Sequence, residues 1–397
     1  MIYNRLSLNF LVVLTVVFQA VLCRLEAVAQ KSRICLNMIV KNESHVIQRS
    51  LSSVRDLIDY WVIVDTGSSD GTQGVICKSL EGIPGELYER PWINFGANRT
   101  EALELARGKG DYILFLDADD WLEIDPSLVL HSLSEDVYWA RWQSLHVPSF
   151  SYMKPLMVKD SLPCAWKGVI HEYLCCELAN SHETLNGVTY VFTGEGNRSK
   201  NPKKYLLAAR DLENALIEEP DNARYMFYLA ESYRDADCPE NALNAYLKRI
   251  RMGGWEEEIL WSWLQVGHLR KTLCYPYEDV LHAYLRAHYQ NPTRAEPIYF
   301  ISELYNQHQD FSLAYDLIKQ WSSLPSSDHH HPFFKLEWIE DYGIKFQLSM
   351  SSFYLHHYEE SLDLHDQLLA NPNLPQRLRE QVLLNRLFPL NRLRSNR

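Results

Sequence analysis

Asp117, Asp119 and Asp120 crowd three carboxylates into four positions, directly after the apolar run Tyr112–Leu116. A strand apolar at every position is one covered on both faces, so these acids emerge together at its C-terminal end. Clustered carboxylates repel one another unless positive charge joins them, and an oxygen-rich set of this kind suits Mg²⁺ or Mn²⁺. Such an ion in turn neutralises a diphosphate. Asp-x-Asp alone is common by chance; further polar loops give it weight here. Asp65-Thr-Gly-Ser-Ser-Asp-Gly-Thr72 joins two acids, Asp65 and Asp70, to turn glycines and hydroxyls. Trp92–Thr100 carries Asn98 and Arg99, and Trp166–Tyr173 carries His171 and Glu172. Neutral imidazole binds divalent metals readily, and a carboxylate takes a proton from a hydroxyl or thiol as a general base.

The elements that must position these residues follow from periodicity. Apolar runs at Arg33–Val40, Tyr60–Val64 and Tyr112–Leu116, with a short run at Glu86–Glu89, predict strands. Between them lie helical patterns: His45–Leu57, with Val46, Ile47, Leu51, Val54 and Leu57 on one face; a segment through Ser79; and Glu101–Ala106. Strand and helix alternate throughout, which predicts a mostly parallel sheet. Ligands of such sheets lie beyond the carboxyl ends of the strands, the edge where the polar loops fall. There is no Gly-x-Gly-x-x-Gly after the first strand and no Walker lysine. Asp65-Thr-Gly-Ser has the letters of an aspartic protease motif, but it leads into a helix and has no second copy.

Residues 33–125 resemble the nucleotide-sugar half of the family 2 glycosyltransferases, a GT-A fold. The matching text is Met38-Ile-Val-Lys-Asn-Glu-Ser44, Val64-Asp-Thr-Gly-Ser-Ser-Asp-Gly-Thr72, Asn94–Arg99 and Phe115-Leu-Asp-Ala-Asp-Asp120, in order. The resemblance implies that Asp65 holds the base of the nucleotide, usually uracil, with Asp70 in the same donor-binding loop. It implies that Asp117 and Asp119 face the ribose, the diphosphate and a Mn²⁺ or Mg²⁺ ion, with Asn98 and Arg99 near the phosphates. His171 is then a further metal ligand. Glu172 is a candidate base, with Asp120 and Asp160 as rivals. The implied reaction is an in-line displacement at the anomeric carbon with inversion, a hexosyltransferase chemistry, the metal stabilising the departing diphosphate.

From about Lys200 onward the chain reads as helices alone. Pro220, Ala223, Leu229, Tyr233, Ala242 and Tyr246 correspond to Pro292, Ala295, Ile301, Tyr305, Ala314 and Ile318, each 72 residues on. An intervening pair spans Glu256–Gln290 and a divergent one Phe333–Leu369. This resembles tetratricopeptide repeats, in which neighbours supply the apolar cover that one helix pair lacks. Most of the dense aromatics (Tyr225, Phe227, Tyr228, Tyr233, Trp255, Trp261, Trp263, Tyr275, Tyr277) read as core knobs, with a minority free to line a groove. The fusion resembles bacterial enzymes with a family 2 domain followed by such repeats, some of which glycosylate peptides, including on cysteine. That implies a protein or peptide acceptor. The competing class is an adaptor whose transferase domain is inactive.

The 397 residues accommodate an α/β domain over 30–199 and a helical domain over 200–397. A net charge of −12 argues against nucleic acid as the main partner. Arg198, Lys200, Lys203 and Lys204 form a basic patch that could reach a diphosphate, although a solvated helix start is the plainer reading. Residues 1–29 have the layout of a signal peptide or membrane anchor: Asn4-Arg5, apolar Leu8–Leu22, then Ala27-Val-Ala29. Export conflicts with a cytosolic sugar donor, and sequons at Asn42 and Asn98 fall in site loops. Without any Cys-x-x-Cys pair, the eight cysteines are expected to be free thiols in a reducing compartment. The preferred location is therefore the membrane or secretory pathway, with catalysis facing the cytosol.

Overall fold

The computed structural model describes residues 31–128, 133–146, 151–324 and 334–395. Residues 1–29, expected as a leader or anchor, lie outside the described residues. Among the described residues no helix is long and apolar enough to cross a membrane.

β1 (Ile34–Val40), β2 (Tyr60–Asp65), β3 (Gly85–Glu89) and β4 (Tyr112–Phe115) pair in parallel in the order β3-β2-β1-β4. Alternate residues of each strand serve opposite faces. Ile34, Leu36, Met38, Trp61, Ile63, Tyr112 and Leu114 pack with Ile47, Leu51 and Val54 of α1 (Ile47–Val54) and Ile76 of α2 (Thr72–Ser79). Cys35, Val62, Ile113 and Phe115 pack on the other face with Leu103 and Ala106 of α3 (Phe95–Ala106). α3 begins earlier than its apolar spacing suggests, because the Asn94 side chain accepts a hydrogen bond from Ala97 N at 2.8 Å. Arg99 consequently projects from a helix and not from a loop.

Beyond β4 the sheet becomes mixed. It continues through β5 (Trp121–Ile124), β6 (Val137–Ser144), β7 (Ser151–Lys159) and β10 (His182–Phe192) in the order β4-β7-β6-β10-β5. Four of the seven pairings in the sheet are parallel. β7 runs antiparallel to β4, with Leu114 opposite Met157. That direction carries Lys154 to the carboxyl end of β4 and puts Asp160 at the amino end, where its N–H donates to the Asp111 carbonyl at 2.9 Å. Asp160 is thus on the wrong edge of the sheet to act as a base. β8 (Ala165–Lys167) and β9 (Tyr173–Cys175) form a separate hairpin whose connecting segment holds His171 and Glu172. Cys164 and Cys176 flank this hairpin and are joined as a disulfide, contrary to the expected free thiols, because the antiparallel pairing brings the two ends of the hairpin together. Cys35, Cys77, Cys175, Cys238 and Cys274 are free.

After α4 (Lys204–Glu218) come helix pairs: α5 (Ala223–Asp235) with α6 (Pro239–Met252), α7 (Glu256–Thr272) with α8 (Tyr277–Gln290), and α9 (Ala295–Gln307) with α10 (Phe311–Ser322). A π-helical turn at Ile339–Gly343 precedes α11 (Ile344–Tyr354), α12 (Tyr358–Ala370) and α13 (Gln376–Ser395). The repeat positions are equivalent in packing: Ala242 and Ala314 are fully buried, as are Tyr246 and Ile318. Each first helix ends on a left-handed residue: Asp237, Cys274, Gln309 and His356. The next N–H returns to a carbonyl five residues back, as in Cys238 to Tyr233 and Asp310 to Tyr305, both 2.9 Å. This closes the open carbonyls of the helix end and fixes the hairpin angle. Gly267 lets α7 meet α8, since a Cβ there would lie 2.2 Å from the Tyr284 ring.

Candidate active site

The loops after β1 and β2 interlock. Asn42 N donates to Ser68 Oγ and Ser69 N to Asn42 Oδ1, both 2.8 Å. Asp70 accepts from Ser44 N at 3.0 Å and from the Thr72 hydroxyl at 2.6 Å. Burial would raise its carboxyl, but these bonds prevail and hold it below the ordinary carboxylate range. Asp70 therefore fastens the loop. Asp65, at the carboxyl end of β2, is fully buried. Its Oδ1 accepts from Gly67 N at 2.8 Å and Ser68 N at 2.7 Å, while Oδ2 has no partner among the described residues.

Arg99 joins two of the expected site acids. Its Nε donates to Glu172 Oε1 at 2.6 Å and its Nη2 to Asp117 Oδ1. Asp117 Oδ2 accepts from Lys154 Nζ at 3.0 Å and from the Tyr190 hydroxyl at 2.9 Å. Burial opposes ionisation of Asp117, yet Arg99 and Lys154 outweigh it and keep the carboxylate charged. Asn98 does not share the role expected of it beside Arg99: it is fully buried, accepts from Ile93 N at 2.9 Å and donates to the Pro91 carbonyl at 3.0 Å. It faces its own loop because residues 91–98 curl over the start of α3.

The remaining acids meet one strand of backbone after β10. Thr193 N donates to Asp120 Oδ1 at 3.1 Å, Gly196 N to Asp119 Oδ2 at 2.8 Å, and Asn197 N to Glu43 Oε1 at 3.0 Å. Arg49, stacked over Trp121 at 4.4 Å, anchors this strap through Glu195 at 2.7 Å. Burial, then the charges of Asp117 and Asp119, push Asp120 up to about 8. Burial also pushes Glu43 up to about 7, the Asn197 N–H opposing and the Asp119 charge adding to it. Asp120 lies under the strap and holds its proton more tightly than an ordinary carboxyl group, whereas Glu172 faces Arg99. Burial and Asp117 likewise raise Asp119, whose second oxygen accepts nothing from another described residue.

His171 sits at φ 51° with its ring stacked on Tyr228 of α5 at 4.2 Å. Neighbouring atoms that desolvate the ring, and then the charges of Arg198 and Arg224, push its imidazole below the usual histidine range, although the residue is exposed at the surface. The ring is committed to the helical array, and the structure does not gather it with Asp117 and Asp119. Among the described residues no group of three His, Cys, Asp or Glu side chains converges as a metal site. The fit to Mn²⁺ or Mg²⁺ is therefore partial: Asp119 has an open oxygen, whereas both oxygens of Asp117 are held by Arg99, Lys154 and Tyr190. Lys154, Tyr190, Glu43 and the strap were not legible as site residues. Glu43 stood in the Met38–Ser44 motif without a role; Lys154 and Tyr190 carry no motif, since only strand pairing brings them to Asp117.

Residues 35–136 match the family model for glycosyl transferase family 2. A TPR repeat-containing protein of Synechococcus elongatus is 34% identical over 105 residues, 26% of this chain and 25% of that protein. An uncharacterized glycosyltransferase of Rickettsia felis is 28% identical over 131 residues, 32% of this chain and 44% of that protein. The chain thus spans less than half the length of these two relatives. An uncharacterized glycosyltransferase of Rickettsia prowazekii is 24% identical over 247 residues, 61% of this chain and 78% of that protein. Among solved structures, S. aureus TarS 1–349 in complex with UDP-GlcNAc overlaps 66% of this chain and 93% of its own, at 16% identity and a TM-score of 0.38. YrrB, a TPR protein with an unusual peptide-binding site, overlaps 48% and 86% at 14% identity and a TM-score of 0.37. The N-terminal half of this chain contains a glycosyl transferase family 2 domain at residues 35–136, followed by a tetratricopeptide-like helical array.

Proposed function

We propose that this chain transfers a sugar from a nucleotide-sugar donor, UDP-linked, to a hydroxyl or thiol of a protein or peptide acceptor, with inversion. The observation that carries this reading is the unpartnered oxygen of Asp65, buried at the carboxyl end of β2. A buried polar atom without a partner costs about 1–3 kcal/mol, more for a charged group. Such an atom at the ligand edge of a parallel sheet is explained by a donor that the ligand brings. The imide N–H of a pyrimidine base is a donor of that kind.

Arg99 and Lys154 meet at Asp117, so fixed positive charge already faces the place where a diphosphate would depart. Preorganised charge of this sort stabilises the leaving group without reorganisation. Mn²⁺ or Mg²⁺ would take Asp119 as its protein ligand and complete its shell with donor oxygens and water. When bound, it would add positive charge against the leaving diphosphate. Glu172 keeps Oε2 clear of hydrogen bonds from other described residues while Arg99 orients Oε1. It is the group suited to take the acceptor's proton.

The inactive-adaptor reading draws support from the neutralisation of Asp117 by protein cations. Calorimetric titration of UDP into wild type, D65N and D119A, with and without Mn²⁺, separates the two. D65N should weaken UDP binding about tenfold or more, by loss of a charge-assisted hydrogen bond. D119A should abolish any gain from Mn²⁺ while far-ultraviolet dichroism stays helical. No UDP binding by wild type, together with no hydrolysis of UDP- or GDP-sugars, would leave the adaptor.

A further inference from the structure

We propose that Arg198 and Arg224 form an anion subsite, one arginine from each domain, that holds a carboxylate or phosphate of the acceptor beyond Glu172. This deepens the transferase reading and rests on it for the word acceptor. Arg224 lies in the first turn of α5, and its guanidinium sits over both Tyr173 and Tyr228, at 4.9 and 4.8 Å. Its Nη2 donates to the His171 carbonyl at 2.9 Å, while Nε is buried and without a partner. Arg198, from the strap, lies over Phe95 at 4.8 Å and is exposed. The charges of both arginines bear on the same imidazole, that of His171.

Among the described residues neither arginine forms an ion pair, although the chain carries an excess of twelve negative charges. The other two arginines of the cleft, Arg49 and Arg99, are both paired. Stacking on aromatic faces holds a guanidinium in place, and its fork of N–H donors matches carboxylate and phosphate oxygens. The order of contacts sets the location. Asp117 is bridged by Arg99 to Glu172, and the next residue back, His171, is held by Arg224. An anion between Arg198 and Arg224 would therefore sit at the Glu172 end of the Arg99 bridge and not at the Asp117 end, which is the acceptor side if the diphosphate lies at Asp117 and Asp119. The helical array would then complete the transferase cleft.

The test uses the full chain and three probes: fluorescein-labelled hexaglutamate, inorganic phosphate as its competitor, and UDP. Anisotropy at low salt is read for wild type, R198Q, R224Q, R198Q/R224Q, D65N and a K203Q/K204Q control. Glutamine keeps a planar amide for stacking, and R198Q changes an exposed residue, so at least one variant stays folded. Binding of hexaglutamate or phosphate should weaken about tenfold in the double variant, and less in each single variant. UDP affinity should stay within about twofold there, and the lysine control should match wild type. Whichever probe is lost identifies the anion as carboxylate or phosphate. Binding of both probes unchanged in R198Q/R224Q overturns the subsite, as does a parallel loss of UDP, which would place the arginines at the donor. Loss of UDP but not of the anion probe in D65N keeps the two sites separate. A wild type that ignores UDP yet binds the probe through these arginines would refute the transferase reading alone.

Discussion

Arg99→Met removes the cation between Asp117 and Glu172 and keeps an apolar stem beside Trp166, over whose ring the guanidinium sits at 5.2 Å. The side chains of Arg99, Asp117 and Glu172 are 12%, 26% and 12% exposed. Removing one partner of a buried ion pair costs about 3–5 kcal/mol, because the other charge is left in a low dielectric. Partial exposure, and Lys154 remaining on Asp117, reduce this to about 2–4 kcal/mol. At about 2–4 °C per kcal/mol for a domain of this size, the α/β unfolding transition should fall by about 5–15 °C. Scanning calorimetry reads this, with the helical transition as an internal reference. The double variant R99M/E172Q leaves Asp117 paired with Lys154 and removes the other stranded carboxylate, so it should regain more than half of the loss. The sign with pH also follows. Burial would raise Asp117, but Arg99 and Lys154 hold it below the usual carboxylate range. Its stabilising effect is complete above the unfolded value of about 4 and disappears as pH falls through the folded one. The R99M deficit should therefore be level from pH 6 to 8 and shrink in acid. An unshifted transition in R99M, with R99M/E172Q less stable than the single variant, would refute the argument that Arg99 neutralises both acids.

Burial pushes Glu43 up to about 7, against the Asn197 N–H and aided by the Asp119 charge, so the folded state binds the extra proton. Stability should decline as pH rises from about 4.5 through 7, and E43Q should flatten that decline, read as a higher Tm than wild type at pH 8 and none at pH 4. Gly96→Ala places a Cβ 2.4 Å from the Gly168 carbonyl oxygen. Because that neighbour is backbone, α3 must part from the hairpin segment, costing about 1–3 kcal/mol in denaturant unfolding. C164S/C176S opens the twelve-residue span that carries His171 and Glu172. It should cost about 3 kcal/mol and raise hydrogen exchange across residues 165–175; unchanged exchange would show that the hairpin is held by its ladder alone.

Much of the framework was readable because its elements are local. Tyr112–Phe115, Tyr60–Asp65 and Ile34–Val40 are apolar on both faces, a pattern that water would penalise anywhere but in a covered sheet. The 72-residue recurrence survives as equivalent buried positions because each helix pair meets its neighbours through the same small and large residues. Asn94 illustrates a signal present but outweighed: its capping side chain starts α3 inside a stretch that reads as a loop.

By itself, then, the chain determined which loops share the ligand edge and that acids would crowd there, since strand direction follows from alternation of strands and helices. Only the tertiary structure decided how those acids are neutralised. The antiparallel return of β7 delivers Lys154, β10 delivers Tyr190, and the strap after it delivers backbone N–H groups to Glu43, Asp119 and Asp120. Pairing of residues 37 to 154 positions apart has no local period to reveal it. Its energy comes from charge and hydrogen bonding in a desolvated cleft, which exists only once the sheet has closed around it.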